Sequence, residues 1–411
     1  MKIRGPDVVL FSFALLIIGV ALVVYITSDE KPEAALPELT KMQSLAPQPV
    51  TVLFSHYWRD ELAPGDLESL IADFQARHPL VLVEQNVLSY SEMRDQIDSI
   101  VRESDVVALD PRWLADLGNA NALEMLRPLG EESGIVWTRS LFSSGHLLFY
   151  DIEHLQNAGF AKPPKTRGEF LQYARALGAS SVACAFDPES LYSDLYSWIW
   201  ASGVLLTQNS RLNFTDPQVV EVFQFLNTLN SEGLITANTF DHNETQKIEA
   251  FCNGTASLMI APAQSIKKIR ERMGDSAFGV TTIPVPDRYM GKPVLGLSTW
   301  SVGLSRWSAN KSAAGAFVDF LAEHSTFLSN AAGAIPGTGQ RTSVDLVSRK
   351  AFDMFEMGEL VHEFDGRFPA VRNLETIVRN ELYKMFETEQ SPAETVRAIQ
   401  QNFEAIHGLW R

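Results

Sequence analysis

Cysteine, positive charge and catalytic signatures are all scarce in this chain. Only two of its 411 residues are cysteines, Cys184 and Cys252. Neither stands in a C-x-x-C pair, which argues against a zinc site or a dithiol redox motif. Two readings of the cysteines stay open: a disulfide in an exported protein, or two buried small apolar side chains. Lys and Arg total 34 against 50 Asp and Glu, a formal net charge of -16. A nucleic-acid binder needs a basic face, which this balance argues against, and electrostatic docking onto anionic headgroups is disfavoured for the same reason. No G-x-S-x-G, H-E-x-x-H, P-loop or G-x-G-x-x-G motif occurs at a strand–helix junction. The run GAIPGTG at Gly333–Gly339 lacks the P-loop lysine and follows a helical stretch, so it reads as a connection. No enzyme activity, metal or cofactor is expected.

What the chain does have begins at its N-terminus. Lys2 and Arg4 precede the uncharged run VVLFSFALLIIGVALVVYIT, Val8 to Thr27. Its length, about 20 residues, is what a helix needs to cross a bilayer. A cleaved signal has a shorter apolar core and a small-x-small cleavage site, whereas Tyr25–Glu30 follows here. Residues 1–28 are therefore read as an uncleaved anchor, with a cleaved signal as the alternative. The basic flank puts the N-terminus in the cytoplasm and the bulk of the chain outside, a single-pass arrangement on the extracytoplasmic (periplasmic) side. Residues 29–48 are rich in Pro, Glu, Ala and Ser and read as a tether.

From Pro49 the pattern alternates. PVTVLFSHYW predicts a strand, and the Pro64-Gly65-Asp66 start signal opens a helix. A second strand and the amphipathic SYSEMRDQIDSIVRES follow. DVVALD then reads as a buried strand, and PRWLADLGNANALEML as a helix. This is β-α-β-α-β-α, the pattern of a doubly wound α/β unit. After Trp137 the alternation restarts. Thr166 and Gly178 cap one helix, Asp216 and Pro217 open another, and VLGLSTWSVGLS predicts a strand around Trp300. The last part is helical with a break at Gly366–Pro369. The fold class expected is α/β: two doubly wound lobes joined by a hinge, preceded by one N-terminal transmembrane helix. Residues 49–146 with 287–342 form lobe 1, and 147–286 with 343–411 form lobe 2.

The order of these features resembles the family 1 extracellular solute-binding proteins of ABC importers, the maltose-binding-protein-like group. DVVALDPRWLADLGNANALEMLRPL, HLLFYDIEHLQNAGFAKPPKTRGEFLQYARAL, IEAFCNGTASLMI and LGLSTWSVGLSRWSANKSAAGAFVDFLAE carry the resemblance, from about Pro49 onward. The second is the most specific, with Lys165, Thr166, Glu169, Phe170 and Leu177 in order. Arg167 departs from the family's usual Trp, Asp151 from its Asn after Tyr, and an apparent membrane helix replaces secretion or a lipid anchor. The resemblance implies a periplasmic-binding-protein-like (type II) fold, a monomer, and no chemistry. It implies a sugar or oligosaccharide ligand, delivered to ABC transporter permease subunits. A membrane-tethered sensor is the alternative, and a glycoside hydrolase a distant third.

A sugar packs its C–H face on an aromatic ring and needs polar partners for its hydroxyls. In doubly wound sheets ligands lie beyond the strands' C-terminal ends. The candidate ligand-binding residues are therefore Tyr57 and Trp58 after the first strand, and Asp110 and Trp113 after DVVAL. Asp187 and Tyr192 follow SSVACAF. His146 lies near the first crossover, Trp300 in the returning strand, and Arg367 at the late break. Each has a plainer reading. The first loop would pack on its own lobe, Asp110 would cap a helix, and His146 would bond to backbone. Asp187-Pro188 would make a turn, and Trp300 would be core.

Overall fold

The computed structural model describes residues 48–59, 61–128, 136–208, 211–336, 346–364, 368–388 and 390–408. The anchor, nearly all of the tether, and Arg367 lie outside the described residues. Among the described residues no helix is long and apolar enough to cross a membrane.

The first unit follows the alternation. Strand β1 (Val50–His56) leads to helix α1 (Asp66–Arg77), β2 (Val81–Val87) to α2 (Tyr90–Glu103), and β3 (Val106–Leu109) to a 3-10 turn (Pro111–Trp113) and α3 (Leu114–Asn119). Local signals set these ends. Ser89 accepts from the Glu92 amide while the Glu92 carboxylate accepts from the Ser89 amide, closing a capping box. The helix expected to reach Leu126 stops at Asn119, because Asn121 takes a left-handed conformation with φ 52°.

Then come the long strand β4 (Thr138–Asp151), α4 (Ile152–Asn157), α5 (Arg167–Leu177) and β5 (Val182–Ala183). A π-helical turn (Tyr192–Tyr196) runs into α6 (Ser197–Trp200). After it stand the pair β6 (Thr207–Gln208) and β7 (Arg211–Leu212), α7 (Pro217–Ser231), α8 (Glu244–Cys252), β8 (Leu258–Pro262), α9 (Ser265–Met273) and β9 (Phe278–Thr281). The chain returns through β10 (Val294–Leu304), α10 (Lys311–Glu323), α11 (Ser325–Ala332) and β11 (Ile335–Pro336). It ends with α12 (Leu346–Met357), β12 (Glu359–Val361), α13 (Val371–Glu387) and α14 (Pro392–Gly408). Thr166 and Asp216 cap as expected, each accepting a backbone N–H through its side chain.

One sheet runs in the order β2-β1-β3-β10-β4-β8-β5. The β1–β2 and β1–β3 pairs are parallel, as is β5–β8, while β10 pairs antiparallel with β3 and β4. Two core regions flank this sheet. One joins Val52, Phe54, Val106–Leu109, Phe142, Trp300 and Phe317. The other comprises two adjoining clusters, built on Leu148, Trp198, Phe223 and Leu374 and on Leu147, Phe149, Phe251 and Leu295. Strands β4 and β10 contribute side chains to both regions. Trp198 and Trp200 sit on different faces of one short helix, and both are buried. Arg167, the departure from the family's Trp, is buried too and donates to the Trp198 carbonyl and the Ser202 hydroxyl. Cys184 and Cys252 are both free thiols, so the disulfide alternative falls.

Gly296 in β10 leaves room for the Trp200 indole, whose Nε1 donates to the buried Glu363 carboxylate at 2.6 Å. A Cβ on Gly296 would stand 2.0 Å from that ring. Gly296→Ala is expected to lower stability by about 1–3 kcal/mol through overpacking, read as a lower urea midpoint with the slope unchanged.

Candidate functional site

A cavity of about 150 Å³ opens where the two core regions meet. From the first come Tyr57, Tyr90, Asp110, Arg112 and Trp300, and from the second side His146, Glu189, Ser193 and Glu244. Arg59 and Lys268 also line it. The positioning is topological. Tyr57 follows the C-terminal end of β1, and Asp110 the C-terminal end of β3. His146 and Trp300 project from the paired strands β4 and β10, near the register Leu297–Gly145 and Ser298–Ser144. An irregularity between Trp300 and Ser301 in that ladder re-aims the strand at this point.

Tyr57 is 5% exposed, and its hydroxyl has no hydrogen-bond partner among the described residues. Burial, then Asp110, Glu61 and Glu189, push its pKa well up, so it stays a neutral donor. Trp300 is 6% exposed and belongs to the core as well as to the wall. The core and wall readings of this residue are therefore compatible. Its indole stacks on Trp58 with centroids 5.8 Å apart and meets Phe142 at 4.6 Å.

Asp110 caps the 3-10 turn through the Arg112 amide and receives the Arg112 guanidinium at 2.8 and 2.5 Å. Tyr90 Oη donates to Asp110 at 3.1 Å. Pro111 makes this geometry by fixing the turn that brings a guanidinium two residues along back onto the cap. Burial opposes the Arg112 charge, and Asp110, Tyr90 and Glu375 more than offset it.

His146 is 3% exposed, and its Nδ1 lies 3.3 Å from the Gly296 carbonyl. A carbonyl only accepts, so Nδ1 carries the proton and Nε2 is left as an acceptor. Burial lowers its pKa to about 3, with Lys247 and Arg112 adding to the effect.

Glu189 follows the turn made by Asp187, whose carboxylate accepts from the Glu189 amide and the Ser190 hydroxyl. Burial, then Asp187, Glu61 and Glu244, raise the Glu189 pKa well above the carboxylate range. Glu244 is tied from behind by the buried Lys247 ammonium, 2.8 Å from Glu244 and 2.8 Å from Asp194. Burial works against that ammonium, but the two carboxylates hold it charged, above its ordinary range.

Of the residues singled out in the sequence, Tyr57, Asp110, His146 and Trp300 converge on the cavity. Trp58 and Trp113 are buried behind it as packing, with Trp113 edge-on to Tyr57 at 6.0 Å. Asp187 shapes the turn, its plainer reading. Tyr192 lies in the second core beneath the Arg112 guanidinium, at 4.1 Å, and its hydroxyl donates to the Glu363 carbonyl at 2.9 Å. Sequence reasoning missed Tyr90, Arg112 and Glu244. Arg112 was readable in part, since Asp-Pro-Arg predicts a side chain turned toward the cap. Tyr90 opens α2 only three residues after β2 ends, so the strand-end rule covered it and it was passed over, whereas Glu244 opens a helix remote from any strand end.

The model of the family described as bacterial extracellular solute-binding protein matches residues 61–326, well over half of the chain. The chain belongs to that family. Solved structures share its fold at low sequence identity. The GacH receptor of Streptomyces glaucescens, solved unliganded and with acarbose and an acarbose homolog, matches with a TM-score of 0.71 and 18% identity, over 86% of this chain and 97% of that one. A maltose-bound protein of T. maritima matches with a TM-score of 0.74 and 16% identity, over 87% and 99%. An ABC transporter solute-binding protein of Thermotoga lettingae, bound with alpha-D-tagatose, matches with a TM-score of 0.71 and 15% identity, over 87% and 99%. These likenesses establish the periplasmic-binding-protein-like α/β fold of this solute-binding protein.

Because His146 is held neutral, it titrates at about 6.5 in the unfolded chain and about 3 in the fold. Its contribution is full above pH 6.5 and is lost as pH falls from 6.5 toward 3. Between pH 7 and 5 the wild-type chain is expected to lose about 2 kcal/mol more than His146→Asn, measured as the difference between their urea-unfolding free energies at the two pH values.

Proposed function

We propose that this protein captures a carbohydrate in the cavity and delivers it to the permease of an ABC importer, without chemistry. The observation that carries the reading is the composition of the cavity wall. The indole of Trp300 and the rings of Tyr57 and Tyr90 stand beside Asp110, Arg112, Glu189 and the His146 acceptor. Aromatic faces suit the C–H side of a pyranose, and the polar groups suit its hydroxyls. The family membership and the saccharide-bound structures of similar fold support the same ligand class.

The two core regions correspond to two lobes, 49–146 with 287–342 and 147–286 with 343–411, which close on the ligand as a monomer. A volume of about 150 Å³ is below the roughly 300–1,000 Å³ of ordinary ligand pockets, so an oligosaccharide enters only when the lobes part. Hinge motion in the two crossing strands would allow this. The apolar run at 8–27 would hold the globular part at the outer face of the membrane.

A thermal-shift screen of the full chain against neutral mono- and oligosaccharides tests the reading. A saturable rise in melting temperature for one of them, with no product formed on incubation, is expected. No shift with any sugar, or hydrolysis of one, would overturn it. Tyr57→Phe removes only the unpartnered hydroxyl. It is expected to keep stability within about 0.5 kcal/mol and to weaken saccharide binding about tenfold, measured by quenching of tryptophan fluorescence. Trp300→Ala, which also opens the core, is expected to cost about 3–5 kcal/mol of stability, read by denaturant titration.

A further inference from the structure

We infer that Glu375 is a positioning residue that clasps Arg94 and Arg112 across the two core regions, holding Arg112 in the cavity wall and helping to close the cleft before ligand arrives. Glu375 stands on α13, whose apolar face of Leu374, Val378 and Leu382 belongs to the second core. Both arginines stand on elements of the first: Arg94 on α2, and Arg112 on the turn after β3. The Glu375 carboxylate is fully buried and accepts from Arg94 Nε at 3.0 Å and from Arg112 Nη1 at 2.6 Å. Arg112 also lies over the ring of Tyr192, a second contact that it makes with the second core.

More contacts lie along the same seam. Arg94 Nη2 donates to the Arg372 carbonyl at 2.6 Å and the Thr376 hydroxyl at 3.0 Å. The Ala370 amide donates to Asp116 at 2.8 Å. The Arg372–Asp98 pair, 3.0 Å, has its carboxylate in solvent and contributes little by comparison.

Anchoring α13 does not need this carboxylate, since the helix is already held by its apolar face. A buried ion pair is also weak support for stability as such, while removing one partner strands the other charge. What the clasp does have is dependence on conformation. It exists only when the two core regions meet: on parting Glu375 loses both guanidinium partners, whereas Arg112 keeps Asp110 and Arg94 keeps Asp95. A contact made in one of two states shifts the population toward that state. Glu375 does not line the cavity, so its effect on a ligand passes through Arg112 and through closure.

The test uses the full chain in detergent, as wild type, Glu375→Ala, Glu375→Gln and Arg94→Gln. Only its affinity arm rests on the proposed ligand site. In ligand-free protein, amide exchange in Arg112–Asn119 and the first turn of α13 is expected to speed up about tenfold in Glu375→Ala, with β3 and the rest of α13 unchanged. Glu375→Gln and Arg94→Gln, each keeping part of the seam, are expected to show smaller accelerations at the same places. Unchanged exchange in all three, or acceleration spread over the whole chain, overturns the inference. Should Glu375→Ala fail to fold, the two glutamine variants decide it by the same criterion. With maltotriose as probe in stopped-flow fluorescence, Glu375→Ala is expected to associate faster and dissociate faster still, losing about tenfold in affinity. Slower association would overturn closure as the cause. If wild type binds no maltotriose or other sugar, the proposed function fails while the exchange experiment still decides the clasp.

Discussion

The antiparallel pairing of β4 with β10 is the constraint on which the remaining architecture depends. The two strands are the longest in the sheet, and they are the only ones among the described residues to give side chains to both core regions. Leu141 and Phe142 on β4 enter one core, while Leu147 and Phe149 enter the other. Strand β10 does the reverse, from Leu295 to Trp300 and Val302. Where the pair passes between cores, Ser144, His146 and Ser298 face the cavity, and Trp300 lines it from the edge of the first core.

That crossing resolves a tension in VLGLSTWSVGLS. Ser298 and Thr299 flank a tryptophan that is part of a core, which looks inconsistent if a strand serves one environment. Thr299 pairs through its hydroxyl with Ser143 across the ladder at 3.0 Å. Trp300 stacks on Trp58, and the edge left over faces the cavity. A single residue thus serves packing and lines the cavity together, because it sits at the boundary between the two.

The cavity's electrostatics follow from burial outweighing proximity. Acidic and basic side chains line it in similar numbers, yet few are free to meet a ligand as charges. Asp110 is occupied by Arg112, and Glu244 by Lys247. Burial and neighbouring carboxylates favour the neutral form of Glu189, and burial keeps His146 neutral. The wall therefore offers oriented neutral donors and acceptors, Tyr57 Oη and His146 Nε2 among them. This is the chemistry suited to hydroxyl groups rather than to a strongly charged solute.

Much of the fold was legible in the sequence, because hydrophobic periodicity and caps act locally. The strand–helix alternation, the Thr166 and Asp216 caps and the buried run VVAL all follow from spacing alone. The motif order also carried the family. The part of the site that could be read was Tyr57 and Asp110, placed just after strands, with His146 and Trp300 on the two crossing strands. Spacing could not say that Trp58, Trp113 and Tyr192 lie behind the wall, since an aromatic after a strand packs inward or faces a ligand with the same local pattern. Nor could it bring Glu375 to Arg94, 281 positions earlier. Local propensity set the Thr166 and Asp216 caps; only the packing of α13 on the second core, where Glu375 meets the first, decided which buried charges would meet.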